Sequence, residues 1–180
     1  MTTVIRETRE TRVRVDASLG TGVATVDTGV RFLDHMLTTL ARTSGLDLAV
    51  TASGDLKHHT IEDVAIALGT AVLALRTDTA ASYGDRTLAM DDALVQAVVD
   101  LGGRPYYRGP LPSALYDHWM RSFAFEAKAT LHLRVLRGSD RHHVVEAAFK
   151  ALGLALRQAL AEVATPSSTK GAVSLEVRGC

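Results

Sequence analysis

The chain has 180 residues, 47% of them hydrophobic and 22% charged, enough to bury a core as one domain or as two small halves packed together. Lys and Arg total 20 and Asp and Glu total 20, so no net basic field recruits nucleic acid or an anionic membrane surface. The single cysteine, Cys180, excludes an internal disulfide, the longest nearly apolar stretch (residues 64–75) is too short to span a bilayer, and MTTVIRETRE lacks a signal-peptide core, so a cytoplasmic protein is expected.

In chain order, residues 11–17 and 23–26 read as strands, followed by a helix carrying His35 and a strand over residues 46–51. A long helix begins at His58–His59, where apolar residues recur at spacings of three and four. Residues 87–90 and 95–101 are expected strands, although the second also reads as helix. A helix carrying His118, an alternating strand over residues 129–136 (ATLHLRVL) and a long helix from His142–His143 complete the core. The segment TPSSTKGAV is polar and turn-like, and a loop is expected there.

That order contains a repeat. LDHMLTTLARTSGLDLAVTASGDLKHHTIEDVAIALGTAVLAL is echoed by YDHWMRSFAFEAKATLHLRVLRGSDRHHVVEAAFKALGLALRQAL. Asp34–His35 matches Asp117–His118. With one residue inserted in the second copy, His58, His59 and Glu62 fall opposite His142, His143 and Glu146. Agreement in both period and chemistry marks an internal duplication. The expected fold is α+β: two pseudo-symmetric half-repeats, residues 1–92 and 93–180, each a mixed β-sheet with helices packed on one face.

On a helix, with His58 at zero, Glu62 lies at about 40° and His59 at about 100°, both bordering an apolar stripe at about 240° to 340°. Imidazole and carboxylate are ligands for transition ions, so His58 with Glu62, and His142 with Glu146, each form a pair one turn apart able to share an ion. His59 and His143 diverge toward a second ion. A single His-His-x-x-Glu is as easily a solvated helix start, with the Glu near the positive helix end. Here six of the seven histidines lie in the duplicated pattern, which favours metal binding and makes His35 and His118 further ligand candidates. His132 has no counterpart and reads as an ordinary strand residue. No H-E-x-x-H, cysteine cluster, Walker loop or GxGxxG appears. Glu10 in RETRETR is by default a solvated charge. Arg104 and Lys170 are turn or loop charges, although a Ser/Thr/Lys loop and an Arg also suit a phosphate.

The strings FLDHM, HHTIEDVAIALG, DLGGRPY, HHVVEAAFKAL and PSSTKG, in this order, resemble imidazoleglycerol-phosphate dehydratases. The resemblance implies two Mn2+ ions per subunit, each held by three histidines and one glutamate from both repeats and from neighbouring subunits. The matching positions are His35, His58, His59, Glu62, His118, His142, His143 and Glu146. It implies Glu10, Glu62 and Glu146 as the catalytic carboxylates, with Glu10 the proton shuttle beside the reacting carbons. Arg104, Ser168 and Lys170 are implied around the substrate phosphate, and Lys150 near the substrate. It also implies a homo-oligomer of 24 subunits built from trimers, acting on an imidazole-bearing phosphorylated small molecule in histidine biosynthesis. The pattern departs from the family at Thr39 and Thr43, where Gln and His are usual, at Ser82, where Arg is usual, at Lys57 with a shortened preceding loop, and at Asp92. These changes are expected to fall on substrate and phosphate contacts. They leave open a divergent di-metal paralogue for another azole phosphate, or a non-catalytic assembling shell.

Overall fold

A computed structural model describes residues 1–165 and residue 176, so Ser168, Lys170, Cys180 and most of the expected C-terminal loop lie outside the described residues. The first six elements are β1 (Thr2–Glu7), β2 (Thr11–Leu19), β3 (Ala24–Asp27), α1 (Arg31–Ser44), β4 (Leu46–Gly54) and α2 (Lys57–Leu75). The next six repeat them: β5 (Tyr83–Met90), β6 (Ala93–Asp100), β7 (Tyr106–Arg108), α3 (Ala114–Glu126), β8 (Thr130–Arg137) and α4 (Arg141–Ala159).

The sheets have the orders β1-β2-β4-β3 and β5-β6-β8-β7. In each, three strands run antiparallel and the short third strand pairs parallel to its neighbour. The expected α+β architecture of two half-repeats is the one observed. Residues 95–101 belong to strand β6, their alternation Val95, Ala97, Val99 pointing into the core. Two strands went unforeseen. TTVIRE alternates too weakly in polarity to stand out, yet β1 pairs along its length with β2. The three residues of β7 are too few for a periodic signal. A division at 92/93 falls in the β5–β6 turn, whereas the repeated run begins at β5, after residues 76–82.

Helices line one face of each sheet, and the halves lock together through them: α1 packs on α4 and α2 on α3. One hydrophobic cluster runs through both halves, with Trp119, Phe123 and Phe149 among its fully buried side chains. Each seam closes at a glycine. A Cβ on Gly69 would stand 2.6 Å from the Phe123 carbonyl oxygen, and one on Gly153 would stand 2.0 Å from Thr43 Oγ1 and 3.0 Å from the Leu40 carbonyl oxygen. These glycines are repeat equivalents. A mid-helix Gly costs about 0.5–1 kcal/mol relative to Ala, but here it lets the helices that carry the histidines approach closely.

Candidate metal centres

Each repeated Asp-His pair uses its aspartate as an anchor. Asp34 Oδ1 accepts from Thr28 N (2.9 Å) and Thr28 Oγ1 (2.6 Å), fixing the chain where it enters α1. Asp117 Oδ1 accepts from Tyr107 OH (2.6 Å) and Leu111 N (2.8 Å), fixing the entry to α3. Burial, reinforced by Asp117, pushes the Tyr107 phenol well above its ordinary range. The next residue in each pair, His35 or His118, is thereby presented at the first turn of its helix.

The two helix seams then assemble two clusters. At α1–α4, Glu146 Oε2 lies 3.1 Å from Nε2 of both His35 and His142. At α2–α3, Glu62 Oε1 lies 3.2 Å from His118 Nε2 and Glu62 Oε2 lies 3.7 Å from His58 Nε2. Within each trio the donor atoms all lie within 4.8 Å of one another. Each cluster takes two residues from one half-repeat and one histidine from the other. The His118 Nε2 atom is buried and out of line for a hydrogen bond to Glu62, so it has no hydrogen-bond partner. An imidazole nitrogen left in that condition beside a carboxylate fits a cation, since burying it unsatisfied otherwise costs stability.

His59 and His143 belong to neither cluster. Adjacent residues on a helix leave it about 100° apart, and the His59 and His143 rings are tilted 82° and 88° to those of His58 and His142. Each Nδ1 contacts a carboxylate at 2.8 Å, Asp55 for His59 and Asp92 for His143. The hydrogen bond to that carboxylate raises both imidazoles above their ordinary range and outweighs desolvation. With Nδ1 engaged, Nε2 is the ring nitrogen left to act as a ligand. Asp92 is itself held far below the carboxylate range, first by Ser139 N and then by His143 and Asp140 N. Glu10 lies in the β1–β2 turn with Oε2 3.6 Å from His59 Nδ1. In the second half, Asp91 and Asp92 occupy the corresponding β5–β6 turn, and Asp91 Oδ2 lies 3.5 Å from His143 Nε2.

Sequence reasoning missed several supporting residues. Asp55 sits one turn before His59, a readable i,i+4 signal. Asp140, which accepts from His142 N and His143 N, is a recognisable helix N-cap. Asp92 has no local signal for its contact, because it reaches His143 across the fold. Asp63 is buried on α2 against the β1–β2 hairpin, accepting from Arg6 Nε at 2.9 Å and from Thr11 Oγ1, which clips the hairpin bearing Glu10 onto α2.

The remaining expected residues are more scattered. Lys150 Nζ lies 3.0 Å from Glu146 Oε1, placing it beside the first cluster. Glu146 is almost fully buried, which opposes its charge, but hydrogen bonds from Lys150 and His35 prevail and hold it below the usual range. Arg104 is exposed in the turn before β7, where its carbonyl accepts from Thr130 Oγ1 at 3.0 Å. Thr39 is buried, and Thr43 donates to the Thr39 carbonyl at 2.9 Å while filling the space over Gly153, so both threonines serve the α1–α4 seam within the chain. Ser82 donates to the Ala80 carbonyl (3.3 Å). Arg76 donates to the Leu101 carbonyl, and Arg86 donates to Gln158 Oε1 (2.7 Å). Beside His142 opens a cavity of about 700 Å³ lined by Phe32, Pro112, Tyr116, Arg141 and Val145 among others. Burial and the nearby Asp34 charge push the Tyr116 phenol up to about 12.

Comparison with known proteins bears on the same residues. The model of the family described as imidazoleglycerol-phosphate dehydratase matches residues 28–156, a span holding both clusters, His59 and His143. The chain is 47% identical over 191 residues to the imidazoleglycerol-phosphate dehydratase of Salinibacter ruber, covering 96% of this chain and 95% of that one. It is 48% identical over 177 residues to that of Salinispora arenicola, covering 86% and 87%. Among solved structures, that of IGPD from Pyrococcus furiosus superposes with a TM-score of 0.85 at 37% identity, covering 94% of this chain and 99% of that one. Imidazoleglycerol-phosphate dehydratase from Staphylococcus aureus gives a TM-score of 0.79 at 31% identity, covering 91% and 100%. With a family model spanning most of the chain and relatives of this identity along nearly its full length, the chain belongs to the imidazoleglycerol-phosphate dehydratase family, a family of carbon–oxygen lyases.

Proposed function

We propose that the protein dehydrates D-erythro-imidazoleglycerol phosphate to imidazole acetol phosphate in histidine biosynthesis, as a cytoplasmic enzyme using two Mn2+ per subunit. The observation that carries this reading is the duplication of a His-His-Glu trio at two equivalent helix seams in a chain of this family. His35, His142 and Glu146 would hold one ion, and His58, Glu62 and His118 the other. His59 and His143, aimed away from these trios, would complete the sets of neighbouring subunits in a 24-subunit shell of trimers.

Two bound ions would supply Lewis acidity and a template for the substrate imidazole, favouring its anionic form. In the net reaction, the side-chain carbon next to the ring loses its hydroxyl and the following carbon loses a proton, giving an enol that becomes the ketone. One water leaves in total. Glu10 takes that proton as the general base, in a turn that Asp63, Thr11 and Arg6 hold against α2. Glu62 and Glu146 would act as catalytic carboxylates by holding the ions. Lys150 contributes a cation on the substrate side, and Arg104, Ser168 and Lys170 bind the phosphate.

A coupled assay with manganese-loaded protein and imidazoleglycerol phosphate tests the reading, and ketone formation is expected. Metal-loaded, folded protein without that activity overturns it. Ser82, at a position where the family usually carries Arg, favours one second reading, a paralogue for another azole phosphate. Turnover of such a compound in preference to imidazoleglycerol phosphate would establish it.

A further inference from the structure

The duplication provides an internal control for each charge near the clusters. Lys57 at the start of α2 answers to Arg141 at the start of α4, and the anchors Asp34 and Asp117 answer to each other. The acids around His59, Glu10 and Asp55, are matched by Asp91 and Asp92 around His143. Other positions break the correspondence, among them Asp55 against Ser139 and Asp140 against Leu56. Asp63 faces Ala147 in the repeat, but its charge is met by Arg6 at 2.9 Å. Lys150 faces Ile66, and nothing in the first half supplies an equivalent cation.

That unmatched cation sits against a ligand carboxylate. Lys150 Nζ is 3.0 Å from Glu146 Oε1, leaving Oε2 as the oxygen that faces both His35 and His142. Glu62 directs one oxygen to His118 and the other to His58, with no lysine or arginine among its ion-pair partners in the described residues. The two carboxylates also differ in solvation: the side chain of Glu146 is 8% exposed and that of Glu62 is 34% exposed. Repulsion between an ammonium and a divalent ion sharing one buried carboxylate is poorly screened, and the ammonium also withdraws one oxygen from coordination.

We propose that the two metal sites are unequal by construction: the His58–Glu62–His118 site holds its ion tightly, and Lys150 makes the His35–His142–Glu146 site the weaker, exchangeable one. This rests on the reading of both clusters as metal sites. It assigns Lys150 a role as the residue that sets the affinity difference between two otherwise equivalent centres.

The test is calorimetric titration of full-length, metal-free protein with Mn2+, with the fold of each variant checked by circular dichroism. Wild type is expected to show two classes of site of equal stoichiometry whose affinities differ by about tenfold or more. His35→Ala should remove the weaker class, and His58→Ala the tighter one. Lys150→Met should strengthen the weaker class until the two nearly merge, whereas Lys150→Arg should preserve the gap. Lys150→Gln replaces the Met variant if that one is misfolded. Two equal classes in wild type, loss of the tighter class in His35→Ala, or an unchanged gap in Lys150→Met would each overturn the inequality while leaving metal binding intact. Failure of wild type to bind Mn2+ at all would overturn the metal reading itself, and the inequality with it.

Discussion

His143 Nδ1 lies 2.8 Å from Asp92 Oδ1, a carboxylate delivered from the β5–β6 turn to the first turn of α4. The pair raises the imidazole, while Ser139 N first and then His143 depress the carboxylate. In metal-free protein its stabilisation is therefore complete below the unfolded histidine value of about 6.5 and is lost as pH rises through the raised folded value. At the acid end it disappears only as pH falls through the depressed Asp92 value. Thermal scans of metal-free protein between about pH 6 and 8 should show the melting temperature falling with pH. Asp92→Asn should flatten that slope, and an unchanged slope would remove the pair from the account.

Glu10 is outside both trios, and among the described residues its carboxylate reaches His59. Glu10→Gln is expected to lower kcat by about 10²- to 10⁴-fold, the usual scale for a positioned general base, while metal content stays at the wild-type level. Rapid-quench kinetics with parallel metal analysis separate the two. Wild-type turnover at saturating substrate would exclude Glu10 from proton transfer, and lost metal would make it a structural residue.

His59→Ala and His143→Ala, at equivalent places in the repeat, should each lower the Mn2+ bound per subunit and abolish dehydration. Metal analysis of untagged protein equilibrated with Mn2+ is the deciding measurement. Full stoichiometry in both variants would show that the trios suffice without them.

If those outward histidines complete sites on neighbouring subunits, metal removal must weaken assembly as well as activity. Light scattering of chelated protein should report smaller particles, with the large particle restored by Mn2+. A particle of unchanged size after confirmed metal loss would sever assembly from the ions.

Much of this was legible because the chemistry is written twice. The His-Glu spacing places each pair on one helix face, and the step of about 100° along a helix separates His59 from His58. Which histidine joins which pair was not legible, since His35 meets α4 and His118 meets α2 through tertiary packing alone. The same holds for Asp92, whose partner lies across the hairpin, and for Gly69 and Gly153, whose necessity appears only when a second helix is set against them. Thr39 and Thr43 carry the clearest lesson. Their departure from the family pattern suggested altered substrate contacts, whereas the structure places them in a seam between helices.

The crossed pairing of helices has a consequence for the chain as a whole. A half-length protein with one Asp-His helix and one His-His-x-x-Glu helix would own every kind of donor and yet could close no trio alone, since its histidine and its His-Glu pair face different partners. Two such halves would have to meet, and joining them in one chain replaces that encounter with an effective concentration in the millimolar range for a short link. Cutting the backbone within residues 76–82, between α2 and β5, should therefore yield two fragments that co-purify as one particle, bound by the shared core and by the histidine each lends to the other. Fragments that elute separately would show that the covalent link, more than the exchanged histidines, keeps the halves together.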